Sequence, residues 1–294
     1  MTRAGFVALA GRPNVGKSTL TNAIVGAKVA IVSDRPQTTR RAIRGVATGP
    51  SWQLVLIDLP GVQRPRDALT QRMARRVSLE LADADAALML LNGEEAVGPG
   101  DRFIAAALSA SSGPVTVAVN KVDRLSKSRQ AEVLLAAAEI APAAAEIFPI
   151  SARTGAGVGA LVDQLVALLP PGPFYYARGQ RSDQTESSVL AELVREQVLA
   201  RTREEVPHAV EVEIEAVKHA RPELVEIDAV ILVETESQKG ILIGAGGRMV
   251  KAIGIAARRA IERELGAQVH LKLSVRVRRH WRGDERLLDR LGIE

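Results

Sequence analysis

Apolar and polar positions along the chain fall into two textures that meet near residue 170. Before it, the runs FVALA, LVLID, AALMLLN, VTVAVN and IFPIS recur between longer stretches with helical spacing. Short unbroken apolar runs fit strands buried on both faces of a parallel sheet, and the stretches between them fit its helical crossovers. The spacing predicts a wound α/β domain over residues 1–169. The opening MTRAGFVALAG reads as the first strand, because its apolar run is too short for an export signal and leads straight into a glycine-rich loop. The longest uncharged stretch, Phe103 to Asn120, is eighteen residues, and Ser111-Ser112-Gly113-Pro114 divide it into a helix end and a separate strand. No segment reads as membrane-spanning.

The break itself, PPGPFYYARGQRSDQT at residues 170–185, holds three prolines and two glycines and is read as a linker. After it the pattern predicts a helix from about Glu186 to Glu205, stopped before Pro207. AVEVEIEAV and VEIDAVILVE then alternate polar and apolar residues at period two, as half-buried antiparallel strands do. Two helices flank LIGAGGRMVKAIG. A last strand, VHLKLSVRVRR, puts Lys272, Arg276 and Arg278 on one face, and a short helix starts near Asp284. Residues 186–294 are thus expected to form a smaller α+β domain.

Composition narrows the chemistry. The chain of 294 residues has no cysteine, which excludes disulfides, thiolate metal sites and a cysteine nucleophile and suits a reducing, cytoplasmic setting. Its net charge of +5 is unevenly laid out. Asp183 to Glu236 carries five Lys or Arg against fourteen Asp or Glu, and Lys239 to Arg282 carries eleven against two. A basic stretch of that kind points to a polyanionic partner.

Gly11-Arg-Pro-Asn-Val-Gly16-Lys17-Ser18 fits GxxxxGK[ST] directly after a strand and at the start of a helix. Backbone N–H groups of such a loop and the helix N-terminus face phosphates, so Gly11, Asn14, Val15, Gly16, Lys17, Ser18 and Thr19 are the phosphate-binding candidates. Lys17 would neutralise the β- and γ-phosphates, and the Ser18 hydroxyl would ligate Mg²⁺. Asp58-Leu-Pro-Gly61 ends the strand LVLID, where Asp58 reaches Mg²⁺ through water and the Gly61 N–H meets the γ-phosphate. Asn120-Lys121-Val-Asp123 closes VTVAVN, and an Asp carboxylate there accepts from N1–H and the exocyclic amine of guanine, donors that adenine lacks in that place. Ser151 and Ala152 would complete the base pocket through their amides.

The spacing of GRPNVGKS, QTTRR, DLPG, NKVD and SA resembles the translation-factor-like GTPases, and with the C-terminal half added the chain resembles the bacterial Era-type GTPases over essentially its whole length. The resemblance implies that Thr39, or else Thr38, closes on Mg²⁺ and the γ-phosphate, with a first switch at residues 33–44 and a second from Asp58 to about Arg76. This chain has Leu59 where a threonine is expected. It also has Val62, then Gln63, where Ras-like enzymes place a water-orienting glutamine, so slow intrinsic turnover is expected. Asn14 is the implied holder of a K⁺ ion against the phosphates.

For Gly244-Ala245-Gly246-Gly247 a second Walker loop fails for want of GK[ST], and a dinucleotide loop fails because Met249 stands where its last glycine belongs. A G-x-x-G clamp of a KH domain (type II-like) remains, with Lys239, Arg248, Lys251, Arg258 and Arg259 around it to anchor phosphates, over an apolar floor of Ile241, Ile243 and Ile253. The family resemblance implies 16S-type ribosomal RNA, near its 3′ end, and the 30S subunit as partners, a role in ribosome assembly, and a monomer. Two rival readings are a metabolic P-loop phosphotransferase, against which NKVD speaks, and a scaffold peripheral to the inner face of the cell membrane that uses the basic stretch on anionic lipid.

Overall fold

The structure, a computed structural model, describes residues 1–35, 38–61, 67–109, 113–141, 145–221 and 223–293. They divide into two compact units, one of residues 1–61 and 70–183, the other of residues 67–69 and 184–293. The first unit runs β1 (Arg3–Ala10), α1 (Lys17–Val25), β2 (Ile43–Thr48), β3 (Trp52–Asp58), α2 (Ala68–Asp83), β4 (Ala86–Asn92), α3 (Pro99–Ser109), β5 (Val115–Asn120), α4 (Lys127–Ile140), β6 (Glu146–Pro149) and α5 (Val158–Leu168). The sheet order is β2-β3-β1-β4-β5-β6, with every neighbour parallel except β2 against β3. All seven residues of β4 are buried, as a central parallel strand requires. Leu9, Leu54 and Leu88 pack with Leu161 and Leu165 of α5 in one core layer. Met89 and Val117 pack with Ile104 of α3 and Val133 of α4 in another. Each such side chain contributes roughly 1.5–3 kcal/mol. The register pairs Leu9 with Asp58 and Asn92 with Asn120, so the loops that follow β1, β3 and β5 leave one edge of the sheet.

The apolar pattern does not announce β2, because Arg44 and Gly45 interrupt it and it is an edge strand. Its outer side is covered by the stretch read as a linker: the Val46 N–H donates to the Arg181 carbonyl at 2.8 Å, and Gly45 bridges Ser182. Gln53, fully buried, holds the same stretch. Its Oε1 accepts the N–H groups of Tyr175 (2.8 Å) and Tyr176 (2.9 Å), and its Nε2 donates to the Tyr176 carbonyl at 2.9 Å. The Tyr175 ring sits 4.8 Å from that of Phe6. Residues 170–183 are therefore an ordered strap on the first unit.

The second unit runs α6 (Glu186–Leu199), α7 (Val206–Ala209), β7 (Glu211–Arg221), β8 (Leu224–Val233), α8 (Glu236–Ile243), α9 (Arg248–Leu265), β9 (Gln268–Val277) and α10 (Glu285–Arg290). Its sheet order is β7-β8-β9, antiparallel then parallel. α6 stops short of Glu205: Thr202 Oγ1 turns back to the Val198 carbonyl at 2.8 Å, and Glu204 takes φ 58, which swings the chain into α7. Trp281 is fully buried and donates Nε1–H to the Ala209 carbonyl at 2.8 Å. Arg195, also fully buried, lies 2.6 Å from Glu192 and 3.9 Å from Glu211, the pairing a buried charge needs. Thr235 and Gln238 form a capping box that starts α8 just before the glycine loop.

Candidate nucleotide site and candidate nucleic-acid interface

α1 begins at Lys17 with no side-chain cap, so its first N–H groups are open to an anion. Gly16 precedes it at φ 102, and a side chain there would collide with the Asn120 amide. Lys17 is buried and donates to the carbonyls of Gly11 (3.0 Å) and Arg12 (3.1 Å). Burial lowers its pKa to about 8 against the opposing pull of Asp58. The Ser18 hydroxyl donates to Asp58 Oδ2 at 2.6 Å and lies 3.1 Å from Thr39 Oγ1, which is itself 3.5 Å from Asp58 Oδ2. Thr38 instead donates to the Arg35 carbonyl at 2.6 Å. Thr39 joins the oxygen cluster.

Asp58 Oδ1 is buried without a hydrogen-bond partner, and burial raises the carboxyl's pKa to about 6 while Lys17, Ser18 and Thr39 pull it down. An orphaned buried carboxylate oxygen beside two hydroxyls and a lysine is a donor set that fits Mg²⁺, a hard cation that takes oxygen ligands. Among the described residues there is no group of three His, Cys, Asp or Glu side chains suited to a metal, so an ion here would share its ligands with a phosphate. Asn14, at φ 63, donates its amide to the Asp34 carbonyl at 2.7 Å. Gly61 packs so closely on Pro13 that a Cβ would come within 2.8 Å of its ring. A cavity of about 60 Å³ is bounded by Asn14, Lys17, Ser18, Thr19, Thr39 and Gly61. Val62 and Gln63 lie outside the described residues.

On the other side of the loop, Asn120 donates to the Val15 carbonyl at 2.8 Å and accepts the Ala152 N–H at 2.9 Å. One buried amide thus braces the phosphate-loop motif against the Ser151-Ala152 loop. Lys121 takes φ 70 and turns the chain so that Asp123 follows in a short 3₁₀ turn. Bonds from the Ser151 hydroxyl, then from Arg153, hold the Asp123 carboxyl below its ordinary pKa. Lys121 and Arg124 both pair with Glu94, at 3.2 and 3.0 Å.

In the second unit, Gly244 (φ 68), Gly246 (φ 59) and Gly247 (φ 75) carry the chain from α8 into α9 with Ala245 between them. A Cβ on Gly244 would lie 2.8 Å from that of Met249, so the turn closes only on glycine there. Lys251, Arg258 and Arg259 are exposed on α9, while Arg248 at its first turn donates to the Ala245 carbonyl at 3.2 Å. Lys239 lies 3.9 Å from Glu236. Beside them a cleft of about 280 Å³ is lined by Lys251, Ile255, Arg258, Leu271 and Leu273. Ile253 is not on this floor: it is fully buried, whereas Ile241, Ile243 and Ile255 are exposed. The face of β9 that carries Lys272 and Arg276 is the opposite one from Leu271 and Leu273, and those cations face Asp228 (4.0 Å) and Glu215 (2.9 Å).

Residues 6–121 match the 50S ribosome-binding GTPase family, and residues 205–282 match the KH domain family. The chain is 46% identical to the GTPase Era of Mycobacterium avium (strain 104) over 295 residues, 99% of each chain. It is also 46% identical over 296 residues to that of Mycobacterium tuberculosis (strain CDC 1551 / Oshkosh). The chain belongs to the Era family of GTPases. A crystal structure of Era in complex with MgGDPNP and nucleotides 1506–1542 of 16S ribosomal RNA superposes with a TM-score of 0.94 at 34% identity, covering 100% of this chain and 99% of that one. An Aquifex aeolicus Era variant bound to GDP·AlF4⁻ gives 0.95 at 34% identity, with 99% of each chain covered. The fold is accordingly that of an Era GTPase, a mostly parallel P-loop GTPase sheet followed by a KH domain, and its activity is hydrolysis of GTP. Among the described residues no single helix is long and apolar enough to cross a membrane.

Two residues of this Era-type site escape the motifs. Arg12 clamps the phosphate loop through Asp101 at 2.9 Å and Glu95 at 2.8 Å. Arg153 meets Asp123 at 2.6 Å. Arg12 stands at a variable position of GxxxxGK[ST], and Arg153 follows the SA dipeptide, so only the fold brings them to the site.

Proposed function

We propose that this Era-family GTPase is a switch that binds GTP on Gly11 to Thr19 and Gly61, reads guanine with Asn120, Lys121, Asp123, Ser151 and Ala152, and holds Mg²⁺ with Ser18, Thr39 and Asp58. The observation that carries the reading is the orphaned, buried Asp58 Oδ1 beside Ser18, Thr39 and Lys17. A bound Mg²⁺ neutralises charge developing on the phosphates; this chain's own part is to fix the phosphates with main-chain donors and Lys17. The switch elements are residues 33–44 around Thr38 and Thr39, and Asp58 to Arg76, including Val62. Asn14 is assigned a K⁺ ion; equal hydrolysis rates in KCl and NaCl, in wild type and Asn14→Ala, would remove that assignment.

The output we assign is the 3′ end of 16S-type ribosomal RNA within the 30S subunit during its assembly, bound at Lys239, Gly244, Ala245, Gly246, Gly247, Arg248, Lys251, Arg258 and Arg259. The basic cleft beside α9 and the Era–16S complex support this. The domains are read as 1–169 for GTP, 170–185 as connection and 186–294 for RNA, acting as a cytoplasmic monomer. Exposed Ile241, Ile243 and Ile255 among these cations favour a second use of the same patch, peripheral contact with anionic membrane lipid. Replacing Gly246 and Gly247 by Asp is expected to leave GDP affinity unchanged and weaken a 16S 3′-end oligonucleotide at least tenfold. Unchanged RNA affinity refutes the RNA assignment, and anionic vesicles that displace no RNA remove the lipid one.

A further inference from the structure

Asp123 is held by more than its own motif. The loop after β6 is a tight turn: the Ser151 N–H donates to the Ala156 carbonyl (2.8 Å), the Gly155 N–H to the Ser151 carbonyl (2.9 Å), and the Thr154 N–H to Ser151 Oγ (3.1 Å). Arg153 rides on this turn, and its Nη2 lies 2.6 Å from Asp123 Oδ2. The other cations nearby, Lys121 and Arg124, are engaged by Glu94. Among the described residues Arg153 is the one basic side chain paired with Asp123. The Arg153 side chain is 66% exposed and that of Asp123 14% exposed, and an ion pair so open to water adds little to folding. Its value must then lie in what it does to the carboxylate.

We infer that Arg153 is a specificity-determining residue of this GTPase, which fixes the plane of the Asp123 carboxylate so that both oxygens meet the guanine edge at once. An ionised carboxylate has about four lone-pair directions. Arg153 occupies one of them, on Oδ2, from the protein side, and the N1–H and the exocyclic amine of the base need two of the rest. A carboxylate free to rotate keeps one of those bonds and loses the other. The penalty of losing Arg153 therefore falls on discrimination as well as on affinity. Guanidinium suits the task because its planar donors pin an orientation.

This rests on the reading of Asp123 as the guanine acceptor, and the test separates the two. Dissociation constants for GDP and for IDP, whose base lacks the exocyclic amine, are measured with Mg²⁺ on the full chain for wild type, Arg153→Ala, Arg153→Lys and Asp123→Ala. Arg153→Ala is expected to weaken GDP about tenfold or more and to reduce the GDP-over-IDP preference several-fold, with Arg153→Lys recovering part of the affinity. Asp123→Ala should abolish the preference. If Asp123→Ala loses the preference and Arg153→Ala keeps it, the inference on Arg153 fails and the site reading stands. If Arg153→Ala binds GDP more tightly, Arg153 competes with the base instead of orienting its acceptor, and the inference is overturned. If Asp123→Ala itself keeps the wild-type preference, both fall.

Discussion

At the scale of single residues, Lys17 and Asp58 lie together at the proposed phosphate end, and burial pushes their pKa values toward each other, to about 8 and about 6. Between those values both are mainly charged. For Asp58 the folded pKa stands above the ordinary 3.8, so its contribution to metal-free stability is present below 3.8 and is lost as pH rises through about 6. Mg²⁺ reverses the preference, because it requires the carboxylate and competes with the proton. The factor by which Mg²⁺ tightens GDP binding should hold steady near pH 7.5 and fall about tenfold per unit below pH 6. Asp58→Asn, measured alongside, removes the protonation of GDP itself from the comparison. A Mg²⁺ effect that stays flat in wild type from pH 7.5 to 5 would contradict this role. The motif letters name these side chains, and the 3.1 Å approach of Thr39 to Ser18, on which we propose Thr39 over Thr38, is not encoded in sequence spacing.

At the scale of elements, β1, β3, β4 and β5 were legible because burial on both faces leaves a continuous apolar run, and the edge strand β2 was not. The same holds for the strap. PPGPFYYARGQRSDQT has the composition of a connection, and nothing local reveals that its backbone is satisfied by Gln53, over 120 positions away in sequence. A buried glutamine in LVLID's strand, WQLVLID, is the one trace, since a buried amide must find partners. Gln53→Ala leaves the Tyr175 and Tyr176 N–H groups without their acceptor and should cost about 1–3 kcal/mol. Hydrogen exchange at Tyr175, Tyr176 and Val46 is expected to quicken about tenfold or more, because local opening of the strap becomes cheaper. Wild-type protection at these three amides in the variant would show that the strap is held by something other than Gln53.

At the scale of the whole molecule, charge is what connects sequence to partner, and here the tally was legible while its direction was not. Lys239 to Arg282 is strongly basic by count, yet period two along β9 turns Lys272 and Arg276 toward Asp228 and Glu215, away from the cleft that Lys251 and Arg258 line. Lys239 and Arg258 also have a carboxylate near, Glu236 at 3.9 Å and Glu262 at 3.8 Å, so position about the glycine loop and its cleft, not pairing, separates the two sets. The five positions around the glycine loop, Lys239, Arg248, Lys251, Arg258 and Arg259, should therefore set the salt dependence of RNA binding. For single-stranded RNA about 0.7 ion is released per neutralised phosphate, so five contacts give a slope of log K against log salt of about −3.5. Lys251→Ala should flatten that slope by about 0.7, and Arg276→Ala should leave it unchanged. The contrast is the useful part, because both substitutions remove one positive charge and a long-range effect of net charge would move both slopes alike. Equal flattening in the two variants would show only net charge, whereas flattening by Arg276→Ala and none by Lys251→Ala would put the RNA across the β9 face that carries Lys272 and Arg276 and take the binding surface away from the loop Gly244 to Gly247.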